Sequence, residues 1–164
     1  VRRGGGALVF NDANYGTDDA DAPESDNTLL APFGLAINQD DGEEGASTPA
    51  DVAVEGSPLL EGVEGIAWVG AGAVTLTGDA PDAEPRILIG LPEGTEVVSD
   101  AEADITRPAG PGRDAAVAVV EYGGGRVVAV LDRDLFFNPG GVSLDTASNR
   151  AFAANAIEWL AGQR

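Results

Sequence analysis

The feature that most constrains this chain is a pair of apolar runs near its C-terminal end, Ala-Ala-Val-Ala-Val-Val at 115–120 and Val-Val-Ala-Val-Leu at 127–131. Glu121-Tyr122-Gly123-Gly124-Gly125 lies between them, and short β-branched runs split by glycines are a β-hairpin signal. Neither run alternates apolar with polar residues, so both strands are expected to be covered on both faces. Asp132-Arg133-Asp134 follows, then a loop, then Asp145, a suitable helix N-cap. Phe152, Ala153, Ala156, Ile157 and Leu160 then recur at helical spacing, and Gly162 stands where a helix would stop. The spacing predicts a helix over 146–161 lying across a sheet in which strand 126–132 is internal.

The rest of the chain reads as short strands and turns. Ala7-Leu8-Val9-Phe10 is a strand, and Thr28 to Phe33 a brief helix capped by Ser25 or Asp26, shortened by Pro32 and ended by Gly34. Leu35-Ala36-Ile37 is a strand, Asn38 to Pro49 a polar surface loop, and Val52-Ala53-Val54 a weak strand. Ser57-Pro58-Leu59-Leu60 opens a helical turn with proline first. Ile66 to Val69, Ala73 to Thr77, Arg86 to Ile89 and Glu96 to Val98 are further strands, and Thr106 to Gly112 a loop. Long connections and few helices fit a mixed sheet with helices on its faces. Trp68 and Trp159 read as core residues before sugar platforms. Gly123-Gly124-Gly125 reads as a turn, because a strand follows it where a phosphate loop needs a helix.

Charge narrows the partners. The 164 residues hold 28 acidic and 9 basic side chains, for a net charge of −19, and every basic residue is arginine. With 43% hydrophobic residues the chain is no acidic disordered tail. An ordered, lysine-free, acid-covered domain is the pattern of a halophile, although a GC-rich genome biases composition in a similar way. Such a field repels nucleic acid and anionic lipid, and no apolar run approaches the length of a membrane span. That leaves a protein or small-molecule partner, at the cell surface or in the cytoplasm of a halophile. Val1-Arg2-Arg3-Gly4-Gly5-Gly6 reads as a helix end passing into a strand. The expectation is one domain over 1–164, excised from a longer chain and lacking its first βα unit.

Several segments carry a resemblance. Glu121 to Val130 followed by Asp132 and Asp134, then Asn149 and Ile157-Glu158-Trp159-Leu160-Ala161-Gly162, resembles the end of the glutamine-amidotransferase-like domains without catalytic residues. Those domains occur beside gliding-motility transport components and in intraflagellar transport proteins. Arg3 to Val9 resembles their first glycine-led strand. Ser57-Pro58-Leu59-Leu60-Glu61-Gly62-Val63 is similar to a phrase of trehalose-utilisation-type relatives, which place histidine where Ser57 stands. The resemblance implies an α/β fold: a three-layer mixed β-sheet with flanking helices, class I glutamine-amidotransferase-like or flavodoxin-like. It also implies what is missing. The chain has no cysteine and no histidine, so amidotransferase thiolate chemistry, a serine–histidine relay and nitrogen- or sulfur-ligated zinc are all excluded.

Two acidic constellations remain, each at a strand end. One is Asn11, Asp12 and Asn14 with Asp18, Asp19 and Asp21; the other is Asp132, Asp134 and Asn138. If strands 7–10 and 126–132 lie side by side and parallel, Asn11, Asp12, Asp132, Asp134 and Asn138 converge on the crevice where α/β sheets bind ligands. Asp12, Asp132 and Asp134 would be the metal ligands, and oxygen donors suit calcium or magnesium. The plain alternative is solvated surface charge with Asn11 and Asp12 shaping turns, and no cofactor at all. Three functions follow: a non-catalytic binding or scaffold module, a cation-dependent carbohydrate-active or hydrolytic enzyme using the clustered aspartates, or a structural spacer of a secreted protein. If the acidic surface is salt-adapted, the melting temperature should climb steeply from low to molar potassium chloride as repulsion is screened. A flat or falling melting curve would favour genome bias.

Overall fold

The computed structural model describes residues 1–10, 27–38, 45–47, 56–69, 72–100, 105–137 and 142–163. Ten strands run through them: β1 (Gly6–Phe10), β2 (Leu35–Asn38), β3 (Gly45–Ser47), β4 (Ile66–Trp68), β5 (Ala73–Leu76), β6 (Arg86–Gly90), β7 (Glu96–Asp100), β8 (Ile105–Pro108), β9 (Asp114–Tyr122) and β10 (Gly125–Val130). Residues 27–30 are α-helical and run into a 3₁₀ turn at Ala31–Phe33, the brief helix expected there. Further 3₁₀ turns occupy Pro58–Leu60 and Asp134–Phe136, and the helix α1 (Asn149–Leu160) closes the sequence of elements. No helix among the described residues is long and apolar enough to cross a membrane.

The predicted hairpin is the centre of the fold. β9 and β10 pair antiparallel from Val117–Val130 to Tyr122–Gly125, and β1 lies parallel to β10 with Gly6 opposite Arg126 and Phe10 opposite Val130. β9 also takes β6 and β5 antiparallel, and β5 carries β2. The main sheet is therefore mixed, and β3–β4 and β7–β8 form two small antiparallel pairs beside it. Ala115 to Val120 and Val127 to Leu131 are all buried, as unbroken apolar runs require. Successive strand residues point to opposite faces. On one face Gly6 and Arg126 meet α1; on the other Tyr122 meets the ring of Phe33 edge-on at 5.3 Å.

Glycine is obligatory at two of these contacts. A Cβ on Gly6 would lie 2.5 Å from the Cβ of Leu160, so α1 can approach β1 only there. A Cβ on Gly125 would lie 2.0 Å from the carbonyl oxygen of Val1, and Gly123 has a φ of 62° in the tight turn. The glycine run thus turns the hairpin and seats residues 1–5 against it.

Four expectations need correction. Asn38 to Pro49 contains β3, and Thr106 to Gly112 begins inside β8, whose partner β7 supplies pairing that local composition does not reveal. Asp145 is not the N-cap; α1 starts at Asn149, and exposed Asp145 pairs with Arg150. Ile157 is 60% exposed, while Asn149, Phe152, Ala153, Asn155, Ala156 and Trp159 are buried. The helix is rotated toward its asparagines because each satisfies main chain that would otherwise lack partners. Asn149 accepts from the Ala67 N–H at 3.0 Å and donates to the carbonyls of Ala67 at 3.0 Å and Ser143 at 2.9 Å. Asn155 donates to the carbonyls of Leu59 at 3.1 Å and Glu61 at 2.8 Å.

The Ser57 turn is as expected, with its hydroxyl accepting from the Leu59 N–H at 3.4 Å. Val52 to Val54 and the proposed caps Ser25 and Asp26 lie outside the described residues. Asn149→Leu should cost about 2–3 kcal/mol in urea unfolding, since buried peptide groups lose their partners, whereas Ile157→Ser should stay within about 0.5 kcal/mol. The reverse order of costs would refute this helix orientation.

Candidate functional site

β6 and β10 both run antiparallel to β9, and β1 runs parallel to β10, so all three finish at one end of the sheet. Phe10, Asp132 and Gly90 mark that end, which is where open α/β sheets place ligands. Asp132 is completely buried there. Its Oδ2 accepts from the Val69 N–H at 2.9 Å and its Oδ1 from the Asp134 N–H at 2.9 Å. The second contact, two residues along, is an Asx turn; the first fastens that turn to the chain leaving β4. Asp134 opens the 3₁₀ turn with its side chain 31% exposed, 3.6 Å from Arg133 Nε. The Arg133 guanidinium in turn lies 5.5 Å from the centre of the Phe137 ring.

Of the five residues nominated from sequence, Asp132 and Asp134 stand together at this strand end. Asn11, Asp12 and Asn138 lie outside the described residues, as do Asn14, Asp18, Asp19 and Asp21. Among the described residues no three His, Cys, Asp or Glu side chains converge as a metal site would require. Trp68 and Trp159 are both core residues, 5% and 7% exposed.

The most elaborate polar cluster was not anticipated. Asp114, the first residue of β9, has a fully buried side chain. Arg107 of β8 grips it with two bonds, Nη1 to Oδ2 at 2.6 Å and Nη2 to Oδ1 at 2.9 Å. Thr75 Oγ1 donates to Oδ1 at 2.6 Å, the Gly110 N–H donates to Oδ2 at 2.7 Å, and Asn38 Nδ2 donates to Thr75 Oγ1. One carboxylate thereby joins β8, β5, β9, β2 and the Gly110 turn. Burial alone would raise its pKa; the bonds from Arg107, Thr75 and Gly110 and the arginine charge outweigh burial and lower it from 3.8 to about 2. The same bond raises the pKa of Arg107 against the opposing effect of burial. A sequence signal existed: Asp114 directly precedes the apolar run 115–120, and a carboxylate carried into a buried strand demands a partner.

Beside Asp114 opens a cleft of about 630 Å³, walled by the turns at 91–94 and 109–112 and floored by Leu76 and Ile87. It lies past the end of β6, at the sheet end shared with Asp132.

A mixed sheet with a parallel β1–β10 pair and α1 packed on it defines an α/β domain. No family model matches the chain, and no curated protein matches it in sequence. Among solved structures its fold is similar to that of a ThuA-like protein from Bacteroides uniformis, with a TM-score of 0.53 and 15% identity. The match covers 97% of this chain and 59% of that one, so this chain spans less than two thirds of its neighbour's length. It supports the glutamine-amidotransferase-like resemblance at the level of fold.

Asp114→Asn should cost about 2 kcal/mol at neutral pH, because the half-buried Arg107 loses its counter-charge and the charge-assisted bonds from Thr75 and Gly110 weaken. The folded pKa is depressed, so the contribution is complete above pH 4 and is lost as pH falls toward about 2. Denaturant unfolding from pH 7 to pH 2 should therefore bring the two proteins together at the acid end; a constant gap would refute the assignment.

Proposed function

We propose that this chain is a non-catalytic binding or scaffold module on a three-layer, amidotransferase-like frame, within a larger salt-adapted protein. One observation carries the reading: among the described residues, both carboxylates buried at the ligand end of the sheet are engaged in holding the fold. Asp132 receives two main-chain N–H groups, and Asp114 receives an arginine, a hydroxyl and an N–H. A general base needs a pKa near the working pH and a lone pair directed at substrate. Asp114, held at about 2 and buried in its own partners, has neither. The chain also has no thiol or imidazole to replace them.

A cation-dependent carbohydrate-active or hydrolytic enzyme using Asp12, Asp132 and Asp134 with calcium or magnesium is the competing reading. What favours it is the parallel β1–β10 pair, whose last residues, Phe10 and Val130, lie opposite each other. The two are separated by incubating the protein in molar potassium chloride with nitrophenyl glycosides, nitrophenyl esters or glutamine, with and without each metal. The module reading expects no turnover above buffer, and equal calorimetric heats of metal addition for wild type and Asp132→Asn. Metal-dependent turnover that Asp132→Asn abolishes would establish the enzyme instead.

A further inference from the structure

We infer that the cleft past the end of β6 is a binding site for a neutral, mostly apolar small molecule. This rests on the binding-module reading and names the class of ligand it would take. The walls are held in place before any ligand arrives. Ala109 N–H donates to the Thr95 carbonyl at 2.8 Å and so ties one turn to the other. Thr95 closes its own turn onto the Pro92 carbonyl through its N–H at 3.2 Å and its hydroxyl at 2.8 Å. Arg113 and Asp114 both donate their N–H to the Gly110 carbonyl at 3.0 Å. A preformed site spares a ligand the entropy of ordering two loops. The volume, about 630 Å³, falls within the range of small-molecule pockets.

The lining selects the ligand's chemistry. Leu76, Ile87, Leu91, Pro92 and Pro111 present apolar surface, and the glycines between them present peptide groups without side chains. Among the described residues three charged side chains line the cleft: Arg86, Glu93 and Asp114. The Asp114 charge is matched by the two-pronged Arg107 contact, Arg86 reaches Glu121 at 3.3 Å, and Glu93 is exposed, where water screens it. A charged ligand would shed its water with no unmatched opposite charge in the cleft floor to receive it. A neutral molecule loses little and gains apolar contact. The chain as a whole carries −19, yet the cleft floor is apolar and Glu93, the one lining charge without a partner among the described residues, is exposed to solvent.

Nile red, a neutral apolar dye, is the probe. Titrated into the protein in molar potassium chloride, it should show saturable, blue-shifted emission at one dye per chain. Leu91→Trp and Pro111→Trp narrow the cleft from opposite walls and should each weaken binding by about tenfold or more. Pro111 is exposed, so its variant keeps the test open if Leu91→Trp fails to fold. Phe10 and Ile157 are exposed apolar residues that do not line the cleft, and the Phe10→Ser, Ile157→Ser double variant should bind as wild type does. Unsaturable binding, unchanged affinity in Pro111→Trp, or loss in the double variant instead would overturn the proposal. Turnover is measured separately, so failure here would leave the non-catalytic reading standing as a scaffold.

Discussion

Buried peptide groups must find hydrogen-bond partners, and in a fold of very short strands the neighbouring strand often cannot supply them. This structure depends on side-chain amides and carboxylates that do. Asn27 donates to the Ile37 carbonyl at 3.1 Å and accepts the Ile37 N–H at 2.7 Å, as a strand residue would. Asn149 does the same for Ala67 in the three-residue β4. Asp132 reaches the Val69 N–H just beyond β4, and Asn155 binds the turn after Ser57. Each such bond is worth about 1 kcal/mol when made, while leaving a buried group unpaired costs about 1–3 kcal/mol. The asparagines therefore set the rotation of α1 more firmly than its apolar residues do. They can leave Ile157 facing water, where one exposed apolar side chain carries little penalty.

This division explains what was legible in the sequence. Features governed by neighbours in the chain could be read directly: the two valine-rich runs, the glycine turn between them, the proline-led turn after Ser57 and the glycine ending α1. The parallel β1–β10 pairing was anticipated only as a condition, since periodicity does not name a strand's neighbour. β3 and β8 stayed hidden because three or four residues carry too little pattern and exist as strands only through β4 and β7. The apolar stripe misjudged one face of α1 because an asparagine looks polar in sequence, yet is a core residue when its amide completes a ladder. Asp132 was legible as a residue of consequence at a strand end, but the Val69 N–H that receives it lies 63 positions away.

The two acids buried among the described residues, Asp114 and Asp132, meet one problem. A carboxylate taken from water needs compensation, from an opposite charge or from several dipoles pointed at it. Asp114 has both, and its low pKa shows that the partners more than offset burial. Asp132 has main-chain N–H groups on each oxygen, one from its own turn and one from the β4 exit. Arg133, next in sequence, reaches Asp134. Main-chain N–H groups thus help to hold both carboxylates, from Gly110 at Asp114 and from Val69 and Asp134 at Asp132.

The arrangement at the sheet end follows from these commitments. In open α/β sheets the end at which parallel strands finish suits chemistry as well as binding. Chemistry needs a side chain held loosely enough to exchange a proton or form a bond, with affinity left over for the substrate. Here the buried polar groups are used to stitch β4, β5, β8 and the two loops onto β9 and β10, and the more completely a carboxylate is satisfied by its own fold, the less it can do for a ligand. What such a frame can still provide is shape, apolar area and peptide groups at fixed positions. Those suffice to hold a molecule and give it an orientation, and they work without a titrating group, so binding of this kind would be insensitive to pH across the range in which Asp114 stays ionised.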